Sequence, residues 1–586
     1  MNYNRFRRIV LPCFALAGAL ALNSCTDNDY DFNEVDMTVG IGGDGLSLPV
    51  SSTAEIKLED VLELDGSECV KVRENGDYYF EQTGDAVAPV HPNIAPITVS
   101  KDGTPQTMSI TIHAVAGTPG QPVQVTADGE AVSFSYSGSK PEEVIELERV
   151  GVNGSMTFTV NFPRALRRAV SSISRMTVTL PSYMELGSVS TTAAHTVSGN
   201  EIVFTNVPTS RNLTVTVNLA GLSFNGGNNA TGTIAVNGSR IDMTGNIQVS
   251  MSATVDAGAS TAGLDGSTIT SNLQMPDITI NSAYGRFNPQ IDLNDLGNTE
   301  ITGVPDFLTD GDVRVDLYNP QILITISNDM EIGGTINGVI TAYKDGAATA
   351  SIRVEGIEVN PNGTSKICIC RRENDIDKSQ YTQVIGISNL SDLIMTIPDN
   401  IKFDAEATAD SETPGNFEFG KQYTIKPVYS VEAPITFDEN ACIVYKDTLD
   451  GWHDDIDDLN LSEDAYISMT ATIENRVPAF LNLTVNPIDA DGNIMPESDI
   501  TVEVSTTVLA SGDGETPSET PLEVIIRQHS DDALSRLDGL TFKIEASASE
   551  EGHDPVTKVT LNAKTHTLVA RDINVKLVGK VIGDFN

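Results

Sequence analysis

Met156-Thr157-Phe158-Thr159-Val160 alternates apolar and hydroxyl side chains. A period of two puts the apolar set on one face of a half-buried strand. The same pattern recurs in Met108-Ser109-Ile110-Thr111-Ile112, Leu213-Thr214-Val215-Thr216-Val217, Ile322-Leu323-Ile324-Thr325-Ile326 and Val502-Glu503-Val504. Between such stretches stand Asn75-Gly76, Asp102-Gly103, Asn153-Gly154, Asn237-Gly238, Asn337-Gly338 and Asp345-Gly346. These dipeptides supply the positive φ that tight hairpin turns require. Short strands at regular spacing predict an all-β chain of tandem antiparallel β-sandwiches.

Helical periodicity is confined to four short segments: 57–64, 163–175, 389–395 and 530–537. The second opens on Pro163 and sets Leu166, Ala169, Val170 and Ile173 on one face. In the fourth, Ser530 is the expected N-cap. Each of the last three follows one strand and precedes another. This repeat of architecture predicts related sandwiches, each with at most a short crossover helix.

The chain has 586 residues, which suggests about 3–5 domains. We expect a signal peptide at 1–24, a tether at 25–34, an N-terminal β domain at 35–150, and sandwiches at 151–300, 301–450 and 451–586. Gly/Ser-rich or polar stretches at 257–271, 409–415 and 510–520 are candidate linkers or long hairpins. Lys and Arg number 36 against 81 Asp and Glu, a formal charge of −45. That balance argues against a nucleic-acid partner, which needs clustered cations. It also argues against electrostatic docking on anionic lipid.

Arg5, Arg7 and Arg8 precede a 14-residue apolar stretch, Ile9 to Leu22. That is short for a membrane span, which needs about 20 residues, but suits a secretory signal peptide. The stretch ends in Leu22-Asn23-Ser24-Cys25, which resembles a bacterial lipobox. The resemblance implies cleavage before Cys25 and acylation of that cysteine, so the membrane partner is reached through a lipid anchor. Cleavage removes three arginines and no acid, taking the charge from −45 to −48. Thr26-Asp27-Asn28-Asp29-Tyr30-Asp31 follows and resembles the export signal of Bacteroidota surface lipoproteins. The expected location is the outer membrane, on the cell surface, with the periplasmic face as the alternative.

Residues that could carry chemistry are few. Gly40-Ile41-Gly42-Gly43-Asp44-Gly45 has phosphate-loop spacing, but Leu46-Ser47-Leu48-Pro49 follows as extended chain where a helix is needed. There is no Walker loop, G-x-S-x-G or H-E-x-x-H. No two of the seven histidines lie within ten residues of each other. No catalytic residue is assigned, and the expectation is a non-enzyme. Cys368 and Cys370 share one strand face, an arrangement unsuited to a mutual disulfide. A bond from either to Cys69 or Cys442 is open in an oxidising compartment, but buried free thiols are the better reading. The densest polar run is Asp450-Gly451-Trp452-His453-Asp454-Asp455-Ile456-Asp457-Asp458. Asp454, Asp455, Asp457 and Asp458 form a candidate calcium site, since a hard cation relieves carboxylate repulsion. Trp452, the single tryptophan, is a candidate stacking residue for a sugar; plugging a domain junction is its alternative role. Asp489-Ala490-Asp491-Gly492-Asn493 reads as an acidic hairpin turn.

Leu317-Tyr318-Asn319-Pro320, with its following strand and Asn328, echoes Asn475-Arg476-Val477-Pro478 and the strand after it. Both resemble the strand–Asn–Pro pattern of late-embryogenesis-type sandwiches; the Ig-like sandwich is the other candidate. Together with the N-terminus, Val39-Gly40-Ile41-Gly42-Gly43-Asp44-Gly45-Leu46 and Asn75-Gly76-Asp77-Tyr78-Tyr79 give the chain the style of large β-rich lipoproteins of Bacteroidales. That resemblance implies a lipid-anchored envelope protein serving adhesion, structure or ligand capture. A glycan or nutrient binder beside an outer-membrane transporter is the second reading. An envelope hydrolase or a lipid-holding protein is the third.

Overall fold

The structure, a computed structural model, describes residues 46–49, 52–58, 69–84, 87–115, 120–225, 231–293, 298–305, 308, 310–453, 465–530 and 532–579. The expected lipidation residue Cys25, the tether, the glycine-rich loop 40–45 and the candidate calcium ligands Asp454, Asp455, Asp457 and Asp458 lie outside them. The described chain is all-β, as the alternation predicts. Its strands pair antiparallel except Gly363–Cys370 with Gln383–Gly386, which run parallel. No described helix is long and apolar enough to cross a membrane.

Three sandwiches follow one another. In the first, one sheet orders Met184–Thr191, Leu213–Ser223, Val144–Asn161 and Ile278–Phe287. The other orders Val123–Ser139, Arg240–Val255, Ser172–Thr179 and Glu201–Pro208. Ile97–Lys101 links them: its first half pairs with Ile278–Ile280 and its end with Tyr136 and Ser137. In the middle sandwich, Gln321–Asn328 lies between Gly363–Cys370 and Ile425–Pro434. Its second sheet pairs Gly334–Lys344 with Ala347–Val359 and Asn400–Ala409. In the C-terminal sandwich, Tyr466–Asn475 lies between Ser518–Gln528 and Thr567–Val578. There Leu537–Ser547 pairs with Cys442–Leu449 and Phe480–Asp489.

Pairing does not respect the expected bounds. Position 150 falls inside Val144–Asn161. Cys442–Leu449, placed in 301–450, belongs to the C-terminal sandwich. Strands within 35–150 also pair outside it. Leu46–Pro49 pairs with Asn574–Leu577 of the C-terminal sandwich, and Tyr78–Thr83 pairs with the middle sandwich. The candidate linkers at 257–271 and 510–520 connect strands within one sandwich, whereas 409–415 runs from the middle sandwich to Gly415–Glu418, which pairs with the first.

Two of the six expected turns are strand interior. Asn153-Gly154 and Asn337-Gly338 sit at register shifts in long strands. A Cβ at Gly338 would stand 2.5 Å from the Asp404 carbonyl oxygen, so glycine there permits close strand approach. Asp345-Gly346 does form the expected turn, with φ of 50° and 75°.

The crossover repeat is present. The first sandwich changes sheet through Arg164–Ala169, the middle one through a 3-10 turn at Leu390–Leu393, and the last through one at Leu534–Arg536. All are shorter than their periodicity suggests. Ser530 does not cap the last turn, whose N-cap is Ala533. In the expected helix at 57–64, Lys57 is in strand and residues 59–64 lie outside the described chain.

Asn328 and Asn475 correct the register of the sequence echo. Each ends the central strand of its sandwich and is buried. Asn328 Oδ1 accepts from Met330 N–H at 3.0 Å, and its Nδ2 donates to the Ile332 and Asn360 carbonyls. Asn475 Oδ1 accepts from Val477 N–H at 2.7 Å, and its Nδ2 donates to the Ala479 and Leu509 carbonyls. Asn328 thus matches Asn475, one strand later than Asn319 does. A side chain caps backbone groups that leave the ladder where two strands diverge.

A buried ionic network ties the middle sandwich together. Arg371 Nη1 lies 2.8 Å from both Asp316 Oδ1 and Asp438 Oδ2, and Arg372 Nη2 lies 2.7 Å from Asp438 Oδ2. Asp316 is fully buried and also accepts from Ser391 Oγ at 2.9 Å and Asn440 Nδ2 at 3.0 Å.

Candidate functional site

The site is a polar cleft of about 190 Å³ where the middle sandwich meets the first. Its floor follows from strand register. Arg149 pairs with Tyr284, which pairs with Asn416. One pleat along, Gly151 pairs with Ser282, which pairs with Glu418. Residues two apart share a face, so these six side-chain positions form a grid across three strands. The intervening Val150, Ala283 and Phe417 point into the core and are buried. Gly151 sits at a corner of the grid, where Ser282 Oγ fills the space a Cβ would take.

The third strand, Gly415–Glu418, comes from the chain of the middle sandwich. Aromatic packing fixes it: the Phe417 ring centroid is 5.3 Å from Phe287, 5.9 Å from Phe419 and 4.9 Å from Tyr423. The cleft therefore rests on paired strands and a buried aromatic cluster, which hold side chains more firmly than free loops.

Asn328 positions the wall. Its bonds to Met330 and Ile332 shape the turn that carries Asp329 and Glu331. Its bond to Asn360 holds the adjoining turn that carries Asn362. The wall is joined to the floor where Asn416 Nδ2 donates to Glu331 Oε2 at 2.6 Å. Asp329 Oδ1 accepts from Thr424 N–H at 2.7 Å.

The charges are internally matched. Arg149 donates through Nε and Nη2 to Glu185, with Nη2 2.6 Å from Oε2, and this carboxylate raises the arginine's pKa. Lys421 lies 3.5 Å from Glu418 and 4.5 Å from the Tyr423 ring centroid. Tyr423 OH accepts from Glu418 N–H at 2.9 Å, and burial raises its pKa. Tyr284 is different. At 40 % exposure it is a large aromatic presented to solvent at the cleft.

The candidates drawn from the sequence fall elsewhere. Trp452 is 5 % exposed and packs in the C-terminal core with residues such as Leu534 and Leu537. The indole is not a surface platform, because the turn from Leu449 folds back and Trp452 N–H donates to the Asp538 carbonyl at 2.8 Å. Among the described residues no group of three or more His, Cys, Asp or Glu is arranged to hold a metal. Cys368, Cys370 and Cys442 keep free thiols, and Cys69, Cys368 and Cys370 are buried. Asp489 forms the expected turn, accepting from Asp491 and Asn493 N–H, and these bonds hold its carboxyl below the usual range.

A second cavity, of about 90 Å³, lies between the middle and C-terminal sandwiches and is lined by apolar residues including Leu58, Phe80, Leu317, Phe437 and Leu561. A cavity of roughly 150 Å³ holds one benzene. This void is smaller and cannot house an acyl chain, which counts against a lipid-holding role for it.

Sequence reading missed every floor residue of the cleft. Its available signals were Asn328 and the glycine-interrupted strand.

No family model matches the chain, and no curated protein matches it. Among solved structures, the chain is similar to a protein of Parabacteroides distasonis provisionally described as secreted, at 15 % identity and a TM-score of 0.34. That overlap covers 51 % of this chain and 90 % of the other. A structure of the Sulfolobus Turreted Icosahedral Virus aligns at 9 % identity and a TM-score of 0.10, over 76 % of this chain and 91 % of the other. Tripeptidyl peptidase 2 aligns at 7 % identity and 0.14, over 80 % of this chain and 37 % of the other. Scores this low carry no argument about function.

Proposed function

We propose that the chain is a lipid-anchored envelope protein that captures a ligand in the cleft between its first and middle sandwiches, without catalysing a reaction on it. The cleft is the observation that carries this reading. It combines an exposed tyrosine with convergent hydrogen-bonding groups on rigid strands. The arginine-led apolar segment and Leu22-Asn23-Ser24-Cys25 support export and anchoring. Fold connectivity supports an outward-facing site. The first described strand, Leu46–Pro49, joins the C-terminal sandwich, so the anchor enters there, while the cleft belongs to the other two. The 21 steps from Cys25 to Leu46 reach at most about 76 Å.

Labelling cells with a fatty-acid precursor tests the anchor. The wild-type chain takes up label and partitions with detergent. Cys25→Ala is expected to lose the label and to appear uncleaved or soluble. Equal labelling of Cys25→Ala contradicts the anchoring half of the proposal.

A further inference from the structure

Resting on that reading, we infer that the cleft's ligand is a neutral saccharide, held with one sugar face against Tyr284.

The argument starts from which charges are already satisfied. Four carboxylates surround the cleft, and each has a donor: Glu185 has Arg149, Glu418 has Lys421, Glu331 has Asn416 and Asp329 has Thr424 N–H. An anionic ligand would meet these carboxylates with both nearby cations already paired. A metal ion finds no group of three ligating side chains among the described residues. A neutral polyhydroxyl ligand meets no such cost. Each carboxylate oxygen has lone pairs beyond the bond described and can accept a hydroxyl proton. Asn362 and Ser282 can donate or accept, and Asn416 retains its amide oxygen. Sugars offer this alternation of donors and acceptors around a ring.

Tyr284 provides the second requirement. A pyranose has an apolar face of C–H groups, which packs on an aromatic ring. A partly exposed tyrosine offers such a ring and a polar tip. Strand register puts Tyr284 between Arg149 and Asn416, with the Ser282 hydroxyl one pleat away. A ring seated on Tyr284 would thus have hydrogen-bonding groups on either side. The cleft is of a size for one or two sugar units, not for a folded partner.

Titration calorimetry of residues 26–586 tests this. The probes are neutral oligosaccharides of glucose, mannose, xylose and N-acetylglucosamine, with tetralysine as a cationic comparison. At least one oligosaccharide is expected to bind, with affinity little changed by salt because no net charge is exchanged. Tyr284→Ala should weaken it about tenfold, and Asn416→Ala should weaken it as well. Tyr284 is surface-exposed, and an unchanged melting temperature would show that Tyr284→Ala folds. Salt-sensitive tetralysine binding, lost in Tyr284→Ala and unaccompanied by sugar binding, would overturn the saccharide inference while leaving capture at the cleft intact. Sugar binding unaffected by Tyr284→Ala and Asn416→Ala would overturn the cleft as the site. Absence of binding by every sugar would overturn the inference.

Discussion

Asp316→Ala is expected to destabilise the middle sandwich by about 3–5 kcal/mol, read from urea denaturation of residues 26–586. Asp316 is fully buried and faces Arg371, which also faces Asp438. Removing one carboxylate leaves Arg371 with one counter-charge, and leaves Ser391 Oγ and Asn440 Nδ2 without their acceptor. The desolvation cost of the arginine stays while half its compensation goes. Asp316→Asn should be milder, because the amide oxygen can still accept from one of these donors. A loss below about 1 kcal/mol for Asp316→Ala would show that water reaches the network and that it behaves as a surface ion pair.

Asn475→Ala is expected to cost the C-terminal sandwich about 3 kcal/mol. The substitution strands Val477 N–H and the Ala479 carbonyl, and takes one of two donors from the Leu509 carbonyl, in a place where the residue itself is 0 % exposed. Each buried group left unpaired costs roughly 1–3 kcal/mol, less what local relaxation recovers. Asn475→Asp should cost nearly as much, since a carboxylate cannot donate to the two carbonyls. The equivalent change at Asn328 has a second consequence. It should loosen the turns carrying Asp329, Glu331 and Asn362, and so weaken ligand capture along with stability. Unfolding midpoints within experimental error of wild type for Asn475→Ala would refute the capping role.

Period-two alternation showed the strands, because each sandwich buries one face of each sheet; Gln321–Asn328 has alternate residues buried along most of its length. The crossover helices were visible because a short amphipathic turn still needs an apolar face, as Leu166 and Ala169 show. Their lengths were overread, since apolar residues continuing into the next strand, such as Ile173, imitate helical spacing. Asn153-Gly154 and Asn337-Gly338 read as turns because Asn-Gly marks a tight turn, whereas here the glycines sit at strand register shifts without positive φ. Only the partner strand distinguishes the two. Strand pairing crosses the expected domain bounds for a related reason. Leu46–Pro49 and Tyr78–Thr83 find partners hundreds of residues away, and no local pattern encodes that. The cleft was illegible for the same cause: Gly151, Tyr284, Glu331 and Asn416 converge only through long-range register. Asn328 was singled out, but as strand punctuation rather than as the residue that shapes a wall.

Display of the cleft on the outside of the cell is tested most directly by a single cysteine. In Tyr284→Cys the thiol would replace a side chain that is 40 % exposed, while Cys69, Cys368 and Cys370 are buried and Cys442 is half-buried, so wild-type cells supply the background. Intact cells are treated with a membrane-impermeant maleimide, with a periplasmic cysteine protein as control. Labelling of Tyr284→Cys well above wild type, while the control stays unlabelled, is the predicted result. Labelling of Tyr284→Cys only after the outer membrane is permeabilised would place the cleft in the periplasm and contradict surface capture.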